Sequence, residues 1–332
     1  LPAKPEGCTI NLATNFDSKA EVDSGECQFE GCPIFDEILK KTFDKYKNEF
    51  AQAELNNTCP AQQVDIFNQN NRGHVGILWV VDDSGSMRED QNNLASNFNS
   101  FIKSFQAKNI NFTMGITTTD RKNPQVILAE QELTSQKLKA DEASFILKFS
   151  ELIKVGTSGD GTEKGFEAAE QYLASSSGKL LESKTSNLTV IYVSDEDDFS
   201  SISPIQNLQK LETFVDKSEK LQIHSIVAHK TVSNKSKIGT KYIEVSKLNS
   251  GIVGDIESTN FAGLLKDIGN SISDLITNFK LNSVPYLPTL EVRVNNVVLA
   301  STEWKYNENS QSIEFSTAPA ESAEIKVTYL PR

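Results

Sequence analysis

Beyond Cys59 the sequence has no cysteine, and the four it does have, Cys8, Cys27, Cys32 and Cys59, are confined to the first fifth of the chain. Zinc ribbons need two cysteines separated by two residues, and that spacing is missing. Two disulfides tying down an N-terminal segment are therefore expected, which implies an oxidising compartment. Three pairings are open. No apolar run approaches the ~20 residues that span a bilayer as a helix, so no transmembrane segment is expected; the sequence is compatible with a lipid anchor. Basic residues are in deficit, with 33 Lys and Arg against 45 Asp and Glu, a net charge of −12. Nucleic acid is thereby excluded as a natural partner, because binding it rests on basic patches. There is no glycine-rich phosphate loop and no dinucleotide fingerprint. Only three histidines occur, His74, His224 and His229, none in a motif with a nucleophile.

What is present is a long alternation of strand and helix signals. Residues 76–82 form a continuous apolar strand, followed by a helix stripe of Leu94, Phe98, Phe101, Ile102 and Phe105. Strands are expected at 110–118 and 125–132, a long helix at 136–154, and another helix after the loop GTSGDG at 156–161. LTVIYVSD at 188–195 is a second apolar strand. A helix at 205–218, a strand at 221–228, a helix at 242–249, a strand at 252–256 and a last helix at 261–279 complete the series. This order predicts a doubly wound, mostly parallel sheet flanked by helices. Residues 283–332 switch to period two, with polar turns, and read as a small antiparallel β module. Three regions follow: 1–72, a disulfide-containing segment with one helix; 73–282, the α/β domain; and 283–332, the β module, with the N-terminal segment as a candidate to pack against it.

The stretch 77–90, ILWVVDDSGSMRED, ends a buried strand in a dense run of side-chain oxygen. Asp82, Ser84 and Ser86 alternate along an extended turn and can converge on one point. Hard cations such as Mg²⁺ or Mn²⁺ accept all-oxygen ligation. A site rich in neutral hydroxyls leaves such a cation under-neutralised, so it takes an anionic oxygen from outside. Each residue also has a plainer reading, with Ser86 and Thr162 as caps of the helices that follow them.

Asp82-x-Ser84-x-Ser86 after an apolar strand resembles the metal-ion-dependent adhesion site of von Willebrand factor A domains, also called integrin I domains. Thr162, in GDGTEKGFEAA, resembles that family's threonine loop, and Asp195, in VIYVSDEDD, its second strand-end aspartate. The resemblance covers roughly residues 73–280. It implies Ser84, Ser86 and Thr162 as ligands of Mg²⁺ or Mn²⁺, with Asp82 and Asp195 as supporting carboxylates. Ser86-Met87-Arg88-Glu89-Asp90 is similar to integrin β-subunits, where the acidic pair helps hold an adjacent cation. That implies Ca²⁺ at Glu89 and Asp90, while the helix dipole alone also favours acids there. Glu196, Asp197 and Asp198 are open between a field-setting role and a solvated loop. The wider combination of FNQNNRGHVGILWVVDDSGSM with VSDEDDFS is similar to secreted or lipid-anchored bacterial A-domain proteins.

The function so implied is that of an extracytoplasmic adhesin, secreted, periplasmic or on the cell surface. It would bind a protein or surface glycan of another cell, or of an envelope complex, through a divalent cation. The alternative is a periplasmic scaffold for a pilus, secretion or envelope complex. A metal-dependent hydrolase would need a carboxylate base such as Glu163 or Glu196, and a non-enzymatic role is expected. If the N-terminal segment is oxidised, the intact mass should rise by four hydrogens on reduction of the two disulfides. Alkylation of all four cysteines in the unreduced protein would reverse the assignment of compartment.

Overall fold

The computed structural model describes residues 6–7, 17–23, 62–69, 74–120, 129–159, 161–229, 236–320 and 322–331. All four cysteines, and the helix expected in the N-terminal segment, lie outside the described residues.

The chain builds β1 (Gln63–Asn68), β2 (His74–Val81), α1 (Arg88–Lys108), β3 (Asn111–Thr118), α2 (Ser135–Ala140), α3 (Glu142–Leu152) and α4 (Gly165–Leu180). It continues through β4 (Asn187–Ser194), α5 (Pro204–Glu212), β5 (Leu221–Val227), α6 (Thr240–Leu248), β6 (Val253–Asp255) and α7 (Phe261–Thr277). Five of these strands form a parallel sheet in the order β3-β2-β4-β5-β6. This is the doubly wound arrangement expected of a von Willebrand factor A-like fold.

β2 is buried at all eight positions because helices cover both faces of the sheet, so a strand there carries apolar residues without alternation. Val75, Ile77, Trp79 and Val81 face the core shared with α1, α3 and α7, where Phe98, Phe101 and Phe149 pack. Leu78 and Val80 face the other core, with Phe166, Tyr172, Tyr192 and Tyr242. Helices α1 and α7 approach closely: a Cβ on Gly269 would stand 2.6 Å from the Phe101 carbonyl oxygen. The chain leaves β2 for β3 on one side and returns to β4 on the other. The sheet's switch point therefore lies between the carboxyl ends of β2 and β4, where ligands of such sheets sit.

Three expectations are corrected. Ala129–Gln131, placed in a strand over 125–132, is a 3₁₀ turn; residues 125–128 lie outside the described residues. The helix expected over 136–154 is two helices, because Asp141 has an extended backbone and its Oδ1 accepts from the Ser144 amide at 3.0 Å, capping α3. The last helix stops at Thr277, and the chain passes directly into β7 (Asn278–Lys280).

β7 belongs to the smaller antiparallel unit, with β8 (Glu291–Val294), β9 (Val297–Val298), β10 (Trp304–Asn307), β11 (Ser312–Phe315) and β12 (Glu324–Tyr329). These strands form two sheets, β9-β8-β12-β1 and β10-β11-β7. Leu281, Val292, Ile313, Phe315, Ile325, Val327 and Tyr329 make their common core. β1 pairs along its whole length with β12, from Gln63 opposite Tyr329 to Asn68 opposite Glu324. The module thus takes strands from both sides of the α/β domain in sequence.

Asp65 joins the two. It is 2% exposed. It accepts from the Asn282 amide at 2.9 Å, the Asn282 side chain at 2.7 Å and the Tyr329 hydroxyl at 2.7 Å. Burial pushes its pKa up, but the hydrogen bonds from Tyr329 and Asn282 outweigh it and hold the carboxyl below its ordinary value. A depressed carboxylate stabilises the fold above its unfolded pKa of 3.8, and that contribution fades as pH falls through the lower folded value. Asp65→Ala should cost about 1–3 kcal/mol near neutral pH. In urea titrations the gap from the parent should close below about pH 4; a gap that stays constant down to pH 2 would contradict this account.

Candidate metal centre

At the end of β2 the chain needs partners for a turn made in a water-poor place. Asp82, fully buried, supplies them. Its amide donates to the Val193 carbonyl at 2.9 Å. Its Oδ1 accepts from the Ser84 amide at 2.7 Å and its Oδ2 from the Ser194 hydroxyl at 2.6 Å. One carboxylate therefore closes the 82–86 turn and ties it to the end of β4. The turn brings the Ser84 and Ser86 hydroxyls to 3.3 Å from each other. The side chain of Ser86 hydrogen-bonds to Asp195. Asp82, Ser84, Ser86 and Asp195 are thus gathered at the switch point.

The loop carrying Thr162 is pinned across this turn. Gln91, on α1, donates from Nε2 to the Asp82 carbonyl at 3.0 Å and to the Gly156 carbonyl at 2.7 Å. The Gly159 amide donates to the Asp83 carbonyl at 2.8 Å, and a Cβ on Gly159 would stand 2.5 Å from Asp83 Oδ1, so the loop lies against the turn. Glu163 is fully buried, takes a hydrogen bond from the Thr119 hydroxyl, and turns its carboxyl toward Asp82. Thr162 stands between Gly159 and Glu163 with its side chain exposed. Among the described residues its hydroxyl makes no hydrogen bond to the cluster.

Glu89 and Asp90 occupy the first turn of α1. Asp90 is pushed up to about 7, by burial first and then by Asp195 and Glu257. Of the triplet 196–198, Glu196 adds to the field that raises Asp195, and the other two serve helix ends. Asp198 takes the Phe166 amide at 3.1 Å and so caps α4 from another strand's loop. Asp197 takes the Lys241 amide at 2.8 Å, on α6. Glu196 pairs with Lys237 at 3.1 Å.

The electrostatics are one-sided. Burial above all raises Asp82. Asp195 is pushed up to about 6 by burial and by Asp82, against the hydrogen bond from Ser86. Asp83 is pushed up to about 6 by burial and by Asp120. Glu163 is pushed up to about 9 by burial and by Asp82. Among the described residues no lysine or arginine pairs with Asp82, Asp83, Asp90, Glu163 or Asp195. Moreover, Asp195 Oδ1 is buried and has no hydrogen-bond partner. A divalent cation fits this donor set: hydroxyls in front, a carboxylate oxygen left over, and negative charge behind without a counter-ion. The described residues contain no group of three or more His, Cys, Asp or Glu side chains of the kind that makes a conventional metal cluster. The gathered donors are two hydroxyls and two carboxylates.

Sequence reasoning missed Ser194, Gln91 and Thr119 as builders of the site. Ser194 had a signal, since it directly precedes Asp195 at a strand end. Gln91 and Thr119 had none, because what places them in the site is contact with the 156–163 loop, 65 and 44 residues away respectively. Of the two carboxylates named as candidate bases, Glu163 is buried with its pKa pushed up by burial and by Asp82, and Glu196 pairs with Lys237.

No family model matches the chain, and no curated protein matches it. Solved structures do resemble it. The pilus adhesin SpaC from Lactobacillus rhamnosus GG, in an open conformation, aligns at 13% identity over 81% of this chain and 41% of that chain, with a TM-score of 0.40. Proximal thread matrix protein 1 from the mussel byssus aligns at 15% identity over 68% of this chain and 52% of that chain, TM-score 0.40. A second structure of that protein, with a zinc-occupied MIDAS motif, aligns at 12% identity and TM-score 0.41, over 66% of this chain and 52% of that chain. The chain matches about half of each neighbour or less, and likeness at this level concerns the fold only.

Raised carboxylates stabilise the folded state below their unfolded pKa values and lose that contribution as pH rises through the folded ones. The metal-free protein should therefore lose stability from about pH 4 to about pH 9. Glu163→Gln keeps the shape and removes the titrating group, whose neutral form the folded state favours. It should raise the melting temperature at pH 8 by roughly 3–10 °C and flatten the pH profile. A lower melting temperature at pH 8 would show that Glu163 acts there as a needed anion.

Proposed function

We propose that this chain is an extracytoplasmic adhesin that holds a partner through a divalent cation. The observation that carries this reading is the pair of serine hydroxyls 3.3 Å apart, set in front of buried Asp82 and Asp195 at the sheet's switch point. Ser84, Ser86 and Thr162 would hold Mg²⁺ or Mn²⁺, with Asp82 and Asp195 behind them. Bound there, the cation supplies an open coordination position for a carboxylate of the partner. The protein's own residues do the rest. Asp82 fixes the turn, Ser194 fixes Asp82, and Glu163 with Gln91 holds the Thr162 loop over the site. Glu89 and Asp90 would hold Ca²⁺ beside it, where Asp90 already lies in the field of Asp195 and Glu257.

Residues 73–282 would carry the binding face, and the β module with the N-terminal segment would form the base that orients it. Among the described residues no helix is long and apolar enough to cross a membrane.

Binding to the folded state alone raises stability by about 2.7 kcal/mol at a hundredfold excess over Kd. Millimolar Mg²⁺ should accordingly raise the melting temperature of the parent by several degrees. Asp82→Ala should abolish that rise, and Thr162→Ala should reduce it while leaving the metal-free melting curve unchanged. Identical curves with Mg²⁺ and with chelator for the parent would remove the cation from the account.

A further inference from the structure

The rim of the candidate site carries an aromatic side chain that the fold spends many bonds to hold in water. Phe199 is 49% exposed. Its amide donates to the Glu163 carbonyl at 2.7 Å, which places it directly beside the Thr162 loop. Its neighbours are fixed on both sides. The Ser200 hydroxyl donates to Asp198 at 2.8 Å, and the Ser200 amide donates to the same carboxylate at 3.0 Å. The Ser201 amide donates to Glu167 at 3.0 Å, and Lys241 Nζ donates to the Ser200 carbonyl at 2.7 Å. Phe199 is therefore not exposed because its loop is loose. A rigid loop presents it.

A second large apolar side chain is tied to the Asp195 turn through its chain neighbours. Ile238 is 49% exposed. The preceding residue, Lys237, donates its amide to the Asp195 carbonyl at 2.8 Å. The Gly239 amide that follows donates to the Ala228 carbonyl at 3.1 Å. The turn that carries the supporting carboxylate Asp195 is thus accompanied by two preset apolar contacts. Rigid aromatic anchors next to a charged centre are the usual composition of a recognition hot spot, because little side-chain freedom is lost on binding.

Resting on the cation-dependent reading above, we infer that the site takes a polypeptide segment in which an Asp or Glu stands within a residue or two of a large apolar side chain, Phe199 being the principal contact for that side chain and Ile238 a second. The partner's carboxylate matches the cation in charge, and its apolar neighbour matches the rim. An acidic glycan offers the carboxylate but no large apolar group to cover Phe199 and Ile238 together.

The test uses beads displaying random heptapeptides with a fixed central Glu, together with an array of uronate and sialylated oligosaccharides, probed with the labelled full chain. Beads kept in Mg²⁺ and released by chelator are sequenced. The parent should enrich Phe, Tyr, Leu or Ile within two positions of the Glu. Phe199→Ser should keep chelator-sensitive retention but lose that enrichment, with affinity for the best parent peptide falling about tenfold. Its melting curve should match the parent's, since the side chain is exposed. Chelator-sensitive binding with no apolar enrichment, or with the same enrichment in Phe199→Ser, overturns the inference and leaves the cation reading standing. Preference for the oligosaccharides over every peptide overturns the polypeptide assignment. Binding that ignores chelator, or no retention of any acidic probe, overturns the cation reading itself and this inference with it.

Discussion

A fully buried strand has to end somewhere, and in this protein β2 ends on a fully buried carboxylate. Everything at the carboxyl pole of the sheet depends on how Asp82 is satisfied. A buried carboxylate needs donors, or it gives up its charge. Asp82 finds a backbone amide two residues on and a hydroxyl at the end of the neighbouring strand. The first of these bonds shapes the turn that points Ser84 and Ser86 the same way. The second locks β4 in register at the point where Asp195 leaves the sheet. What remains unmet is charge. Glu163, Asp195 and Asp83 are all held above their ordinary pKa values, with burial the leading cause in each. A fold that selected only for stability would place an apolar residue or a lysine here. Stability given up at one pole, by carboxylates with raised pKa values, is what candidate functional sites show.

The loops around that pole are organised by helix ends borrowed across the fold. The residue before α4, Lys164, offers no side-chain cap. Asp198 and Ser200, from the loop after β4, serve the amides of Phe166 and Glu167 instead. The same loop is held to α6 through Asp197. Helix α5 has a complete capping box, in which Ser203 and Gln206 serve each other's backbone. A dense acidic run after a strand therefore serves the backbone of two helices, and its rigidity is a by-product of satisfying their amides. That rigidity is what lets an exposed residue such as Phe199 keep a fixed position.

Much of this was legible in the sequence. A run of apolar residues without alternation marked β2 and β4 as central strands, and oxygen at both carboxyl ends marked the pole. The less legible parts share a cause. β1 is not among the expected strands. In it Val64 and Ile66, the aliphatic members of QVDIFN, are exposed, while Asp65 is buried under Asn282 and Tyr329. Hydrophobic alternation could not reveal this, because the inward position is decided by a polar network whose other members lie more than two hundred residues away. The break at Asp141 was hidden for a related reason. The apolar period continues across it, and only the local capping bond stops the helix. Pattern reports which surfaces are apolar; it does not report which polar group has found a distant partner.

The positions of the two crossings into the α/β domain give the arrangement its sense. β1 ends next to the amino end of β2 in sequence, and Gln69 donates to the carbonyl of Ile276 at 3.2 Å near the end of α7. Lys108 closes the same region with Asp274 at 2.5 Å. α7 then becomes β7 with no linker. Both crossings therefore lie at the amino pole of the sheet, and the site lies at the carboxyl pole. Eight residues of strand separate them, roughly 26 Å at the usual rise. A base built from both crossings is held to the domain by two adjacent chain segments rather than one, with Asp65 binding them together. Such a base resists hinging better than a module on a single tether. It also leaves the opposite pole, with its serines, its surplus of negative charge and its exposed Phe199, clear of the rest of the described chain.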